Sequence, residues 1–259
     1  MSINNYPHLI VSSAPRSGST PLAQLLGQQK DVFVMNEIGI YDDWDNANKW
    51  QNFIHTEKWI NFVANENIFK AHNLDLYAFR KQVIVQKMSG KGIFKWLQDN
   101  TNVSIIGDKC PITYINNMPM FAKKFPNAKF IIIVRDGRDV IASQIRGYSK
   151  WPPGNPDHAE HWMKAAVKES QHLWLKVNQD TTRSLLQVDP KRVMVFRYED
   201  AVTDQISFCN DLSEFLDVNI YSINNYFKPV GLGSWQNEHP NMMGELSVAF
   251  KAMLVALGY

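Results

Sequence analysis

The sequence predicts a three-layer α/β fold, a central parallel β-sheet flanked by helices. Two observations point there. Apolar runs with strand character alternate along the 259 residues with longer stretches of helical periodicity. The clearest run, Lys129-Phe130-Ile131-Ile132-Ile133-Val134, is continuously apolar, as strands covered on both faces are. No internal repeat or low-complexity segment interrupts the alternation, so residues 1–259 are expected to form one domain.

The elements follow in order. His8–Ser13 is an apolar strand running into a small-residue turn, Ala14-Pro15-Arg16-Ser17-Gly18. A helix is expected over 21–29, where Leu22, Leu25 and Leu26 share a face. The short run Val32-Phe33-Val34 then carries the chain back to the sheet rim at Glu37. Helical patterns over 46–65 and 75–99 precede a second strand, Val103–Ile106, which ends in Gly107-Asp108-Lys109. A helix over 112–125 leads to the 129–134 strand, and one over 138–148 follows it. Trp151-Pro152-Pro153-Gly154-Asn155-Pro156 reads as a surface loop and candidate lid. Helix 157–187, strand Arg192–Phe196, helix 203–216 and a last helix near 244–257 complete the pattern. Trp44, Trp50, Phe53, Trp59, Phe62 and Phe69 recur near helical spacing and are assigned mainly to the core.

Composition narrows the function classes. Apolar residues make up 45% and charged residues 20%, as in a globular protein. A net charge of +2 argues against nucleic acid as a partner. No apolar run approaches the ~20 residues of a membrane span. With no basic N-terminal region and only Cys110 and Cys209, a cytoplasmic protein with free thiols is expected.

The chemistry gathers where strands end, the position in which parallel sheets bind ligands. The first turn opens a helix, so its backbone N–H groups face an incoming anion. Against the nucleotide phosphate loop G-x-x-x-x-G-K-[ST], it has Ser13 for the first Gly and Ser19 for the Lys. The fold is therefore P-loop-like, yet the lysine that reaches a terminal phosphate is missing and Arg16 supplies the charge. The other strands end at Lys109, at Arg135-Asp136-Gly137-Arg138 and at Arg197-Tyr198-Glu199-Asp200. Several cations on one rim describe a pocket for a polyanion.

These motifs resemble the sulfotransferases that use 3′-phosphoadenosine 5′-phosphosulfate (PAPS), particularly the Pro-Arg-Ser-Gly-(Ser/Thr)-Thr branch that includes the tyrosylprotein enzymes. The resemblance lies in Ala14–Thr20, Gly107-Asp108-Lys109-Cys110-Pro111, Phe125–Phe130 with Val134–Asp139, Val195–Asp200 and Gly233-Ser234-Trp235. It implies that Arg16, Ser17, Gly18, Ser19 and Thr20 hold the 5′-phosphosulfate. It implies a 3′-phosphate site at Arg135 and at Ser143, eight residues on. Tyr198, Ser234 and Trp235 are placed near the donor by the same resemblance. Lys109 would stabilise charge on the transferring group, with Arg16, and Glu37 is the first choice for the base that takes the acceptor's proton. PAPS would be the co-substrate, PAP the product, and the acceptor a hydroxyl on a small molecule, carbohydrate or peptide.

No metal is expected, because a sulfuryl group carries less charge than a phosphoryl group; His158-x-x-His161 reads as an ordinary helical pattern. His8, His55, His72, His172 and His239 are read as structural or surface groups, a fallback base among them. Arg138 is expected to pair with a nearby acid, such as Asp139 or Glu199, rather than with ligand. Pro21 removes one backbone donor just after the loop. Two rival functions remain at this stage, a P-loop small-molecule kinase and a non-catalytic PAP-binding protein.

Overall fold

The computed structural model describes residues 7–38, 65–148, 159–221, 226–229 and 231–259. Nearly all of the predicted 46–65 helix lies outside them, as do the 151–156 loop, His55, Trp44, Trp50, Phe53, Trp59, Phe62 and the side chains of His158 and His161.

Five parallel strands form one sheet: β1 (Leu9–Ser13), β2 (Val32–Asn36), β3 (Ile105–Lys109), β4 (Lys129–Val134) and β5 (Val193–Arg197), in the order β2-β3-β1-β4-β5. The run at 32–34 is thus a full edge strand, paired from Val32↔Ile105 to Asn36↔Lys109. β3 starts two residues later than predicted and takes in Gly107-Asp108-Lys109. Gly107 stands opposite Leu9, where an added Cβ would lie 2.7 Å from the Leu9 carbonyl oxygen, so any side chain there would push β3 off β1.

Around the sheet lie α1 (Ser19–Gly27), α2 (Glu66–Ala71), α3 (Leu76–Val85), α4 (Gly90–Asn100), α5 (Thr113–Asn116), α6 (Met118–Lys124), α7 (Gly137–Tyr148), α8 (Ala159–Leu185), α9 (Tyr198–Thr203), α10 (Gln205–Leu216), α11 (Ser234–Glu238), α12 (Met242–Glu245) and α13 (Val248–Ala256). Two expected helices are divided. The 75–99 pattern breaks where Lys87 turns left-handed (φ 46°) and Ser89 begins a new helix by accepting from Gly92 N at 3.1 Å. The 112–125 pattern breaks at Asn117, with Pro119 in the first turn of α6.

Alternate strand residues feed two cores. Ile10, Phe33, Ile106, Phe130 and Ile132 face the helices α2 to α8 and α13. Leu9, Val11, Val34, Ile131 and Ile133 face α1 and α10, where Leu22, Leu26, Phe208 and Leu212 are buried. The period-two switch along β1 and β4 is what makes three layers of one sheet.

The strand order sets the site. From β1 the chain crosses to β2 on one side, and from β3 it crosses over to β4 on the other. The crevice between the carboxyl ends of β1 and β4 is therefore a topological switch point. Among the described residues no helix is long and apolar enough to cross a membrane.

Candidate active site

The β1–α1 turn is the first wall of the crevice. Arg16 sits at φ 66° and Gly18 at φ 100°, both left-handed. Gly18 is required twice over, because a Cβ there would also stand 2.3 Å from the Tyr198 ring. Gly18 caps α1, and its carbonyl accepts the first helical bond, from Leu22 N at 3.2 Å. Pro21 therefore occupies a position whose N–H has no helical partner in any case, and costs α1 nothing. The N–H groups of Gly18, Ser19 and Thr20 stay available at the positive end of the helix. Ser17 is fully buried and its Oγ has no hydrogen-bond partner.

β4 delivers the second wall. Arg135 is 7% exposed, donates to the Arg16 carbonyl at 3.0 Å and to the Gly231 carbonyl at 2.9 Å, and lies 4.4 Å over the Tyr198 ring. It has no carboxylate partner among the described residues, and its Nε is buried without a hydrogen bond. Buried cations are ordinarily paired, because desolvation is expensive. Ser143, on α7, accepts from Arg16 Nε at 3.1 Å. The structure thus brings Arg16, Arg135 and Ser143 together across two loops and a helix. Burial raises the Tyr198 phenol above its usual range, opposed by the nearby Arg135 charge, so it stays a neutral shelf.

A second cluster forms at the ends of β2 and β3. Lys109, 2% exposed, donates from Nζ to Glu37 Oε1 at 2.8 Å. Glu37 is 31% exposed and left-handed (φ 59°), and its N–H bonds the Lys109 carbonyl at 2.7 Å. A non-glycine residue in this conformation is costly and must be held by its surroundings. Asp108 holds it here: fully buried, it accepts from Ile38 N at 3.2 Å and from the Tyr114 hydroxyl. Glu37 Oε2 carries no protein hydrogen bond among the described residues and is open to a proton donor.

The late segment closes the crevice from above. Ser234 Oγ donates to Asp139 Oδ1 at 3.3 Å and accepts from Arg146 at 3.2 Å, while Trp235 stacks 4.6 Å from Arg138. Arg138 does pair with a nearby acid, though with neither Asp139 nor Glu199. It pairs with Asp136 at 2.9 and 2.7 Å, because Asp139 is taken by the 233–235 segment and Glu199 by Asp136 N and the Tyr259 hydroxyl.

His8 and His72 take partners away from both clusters. His8 lies at the opposite end of β1 and accepts from Ile106 N at 3.2 Å; burial lowers its pKa. His72 bonds the Gly27 carbonyl at 2.9 Å, behind α1. His172 lines a cleft of about 400 Å³ between α8 and the α12–α13 turn. Among the described residues no cluster of three metal-ligating side chains occurs.

Sequence reasoning passed over Asp108 and Gly231, and met Asp139 only as a partner for Arg138. Asp108 lay in view, beside Lys109 in the Gly107-Asp108-Lys109 strand end. Gly231 showed no signal, since its role is a carbonyl. What the arrangement offers chemically, among the described residues, is a crevice whose buried Arg135 has no carboxylate partner, and a Glu37 carboxylate with one oxygen outside any hydrogen bond.

The chain matches the family model described as the sulfotransferase family over residues 7–222. A search of curated proteins found no match. Among solved structures, it is similar to the sulfotransferase domain from the curacin biosynthetic pathway, with 22% identity over 97% of each chain and a TM-score of 0.65. It is similar to the sulfotransferase domain of the Synechococcus PCC 7002 olefin synthase at 19% identity, 99% of this chain, 96% of that one and a TM-score of 0.68. A sulfotransferase from Alicyclobacillus acidocaldarius aligns at 12% identity over 96% of both chains, TM-score 0.53. At these identities the likenesses speak for a shared fold.

Proposed function

The chain belongs to the sulfotransferase family and is a sulfuryl-transferring enzyme; on that premise we propose that its donor is PAPS and its acceptor a hydroxyl on a small molecule, carbohydrate or peptide. One observation carries the donor assignment. Arg135 is buried at a switch point with no carboxylate partner among the described residues, beside the buried, unpartnered Ser17 Oγ and the open N-terminus of α1. Such a crevice is completed by a ligand that brings its own anions. In this reading Ser17, Gly18, Ser19 and Thr20 hold the 5′-phosphosulfate, and Arg135 and Ser143 the 3′-phosphate. Arg16, tied to both walls, spans the two sites. Tyr198 is the shelf beneath them, with Ser234 and Trp235 in the covering segment. We take residues 1–259 as one sulfotransferase domain.

When bound, PAPS supplies a sulfuryl group already activated on a phosphate leaving group. Glu37 accepts the acceptor's proton through Oε2 as the new oxygen–sulfur bond forms and the bond to the 5′-phosphate breaks. Lys109 holds Oε1 and so aims the carboxylate, and with Arg16 it offsets negative charge on the group in transfer. No step calls for a metal.

The test is thermal shift with PAP and with ATP·Mg²⁺, since a ligand of the native state raises its stability by mass action. PAP is expected to stabilise the protein. Stabilisation by ATP·Mg²⁺ alone would point to a kinase instead. Labelled PAPS with a panel of hydroxyl acceptors then separates turnover from mere PAP binding.

A further inference from the structure

We infer that Asp139 is a positioning residue for the donor site, clamping the 231–235 segment onto α7 and so holding the Gly231 carbonyl against Arg135. The inference builds on the PAPS assignment and links Asp139 to a segment, 231–235, beyond the stretch matched by the family model, which ends at 222.

Asp139 stands in the first turn of α7 and is 1% exposed. A carboxylate so deeply buried needs its oxygens filled. Oδ2 accepts from Gly233 N at 2.8 Å, and Oδ1 from Ser234 Oγ at 3.3 Å and Trp235 N at 3.4 Å. Two of the three donors are backbone amides, so the contact fixes the path of the chain and not merely a side chain. It also satisfies donors that the short helix α11 leaves open at its start.

The consequence reaches Arg135. Gly231 lies two residues before Gly233, and its backbone passes close over the guanidinium: a Cβ at 231 would stand 3.2 Å from Arg135 Nη2. Arg135 divides its bonds between the Gly231 and Arg16 carbonyls, tying the late segment to the β1–α1 turn. The rest of α7 reinforces the clamp, Arg138 through Trp235 and Arg146 through Ser234 and Glu238. Without Asp139 the 231–235 segment loses its central anchor, and Arg135 loses one of the two carbonyls that aim it.

The test compares PAP with 5′-AMP, which lacks the 3′-phosphate, by titration calorimetry on wild type and Asp139→Asn. Asparagine keeps the shape but turns an N–H toward N–H donors. The variant is expected to bind PAP about tenfold more weakly and 5′-AMP within about twofold of wild type, since the lost contacts act on Arg135. Amide exchange should rise at residues 233 and 235 and stay unchanged in β1 and β4. Asp139→Glu, which retains both acceptor oxygens, should fall between wild type and Asn, and serves if the Asn variant fails to fold. PAP binding that is unchanged or tighter in the variants overturns the inference, as does an equal loss for both nucleotides. A wild type that does not prefer PAP to 5′-AMP overturns the donor assignment itself, a distinct result.

Discussion

The two cationic clusters on the sheet's carboxyl rim are built on opposite electrostatic plans. At the β1–β4 crevice, Arg135 is 7% exposed and is held by two carbonyls and an aromatic ring. At the β2–β3 edge, Lys109 is still more buried, at 2%, but has its own counterion in Glu37. Carbonyls and rings orient a guanidinium without neutralising it, so the first cluster keeps its net charge for a ligand. The second is internally balanced, and among the described residues it leaves the other Glu37 oxygen without a hydrogen bond. The difference teaches that burial alone does not mark a binding site; burial without a counter-charge does.

The sharpest test is a double dissociation. Glu37→Gln keeps the shape and an acceptor for Lys109 but removes the proposed base, so turnover should fall by about 10²-fold or more, while PAP affinity stays within about twofold. Retained turnover would move the base elsewhere. Arg135→Ala should do the reverse, weakening PAP by roughly 10- to 100-fold, as expected for lost charge-assisted bonds. Calorimetry checks both variants. Equal PAP loss in both would dissolve the distinction between the clusters.

Smaller effects refine it. Gly18→Ala places a Cβ against the Tyr198 ring at a left-handed position, and should cost about 1–3 kcal/mol in denaturant unfolding. No loss would mean that the turn and Tyr198 are loosely coupled. The opposite end of the sheet provides a control. Burial holds the folded His8 pKa below the ordinary histidine value of about 6.5. The unfolded chain therefore binds this proton more readily, and stability falls as pH drops below about 6.5. His8→Asn should flatten that part of the Tm–pH curve without altering PAP affinity at pH 7.

Much of this was legible in the sequence because local patterns carried it. The 129–134 run announced a strand covered on both faces, and Ala14–Thr20 announced a small-residue turn opening a helix. The break of the 75–99 helix was also signalled, by Ser89-Gly90, although helical periodicity on either side concealed it. β2 was legible only as a short apolar run, since five residues show too few periods to separate a strand from a connection. That Arg138 pairs with a nearby acid was legible, but which acid was not, because proximity in sequence offered several carboxylates and no means of choosing among them. Asp139 and Glu199 are committed to partners 94 and 60 residues away, respectively, and only the folded chain displays that competition.

By itself, then, the sequence determined the layered α/β fold, the rim on which the chemistry gathers and the residue types available there. Those follow from periodicity and turn chemistry, which act within a few residues. Tertiary structure alone decided which cation receives a counterion, which carboxylate keeps a free oxygen, and that Asp139 grips the late segment. Each of those outcomes turns on contacts between residues distant in the chain, where burial raises the cost of an unmatched charge and the fold chooses which groups are matched.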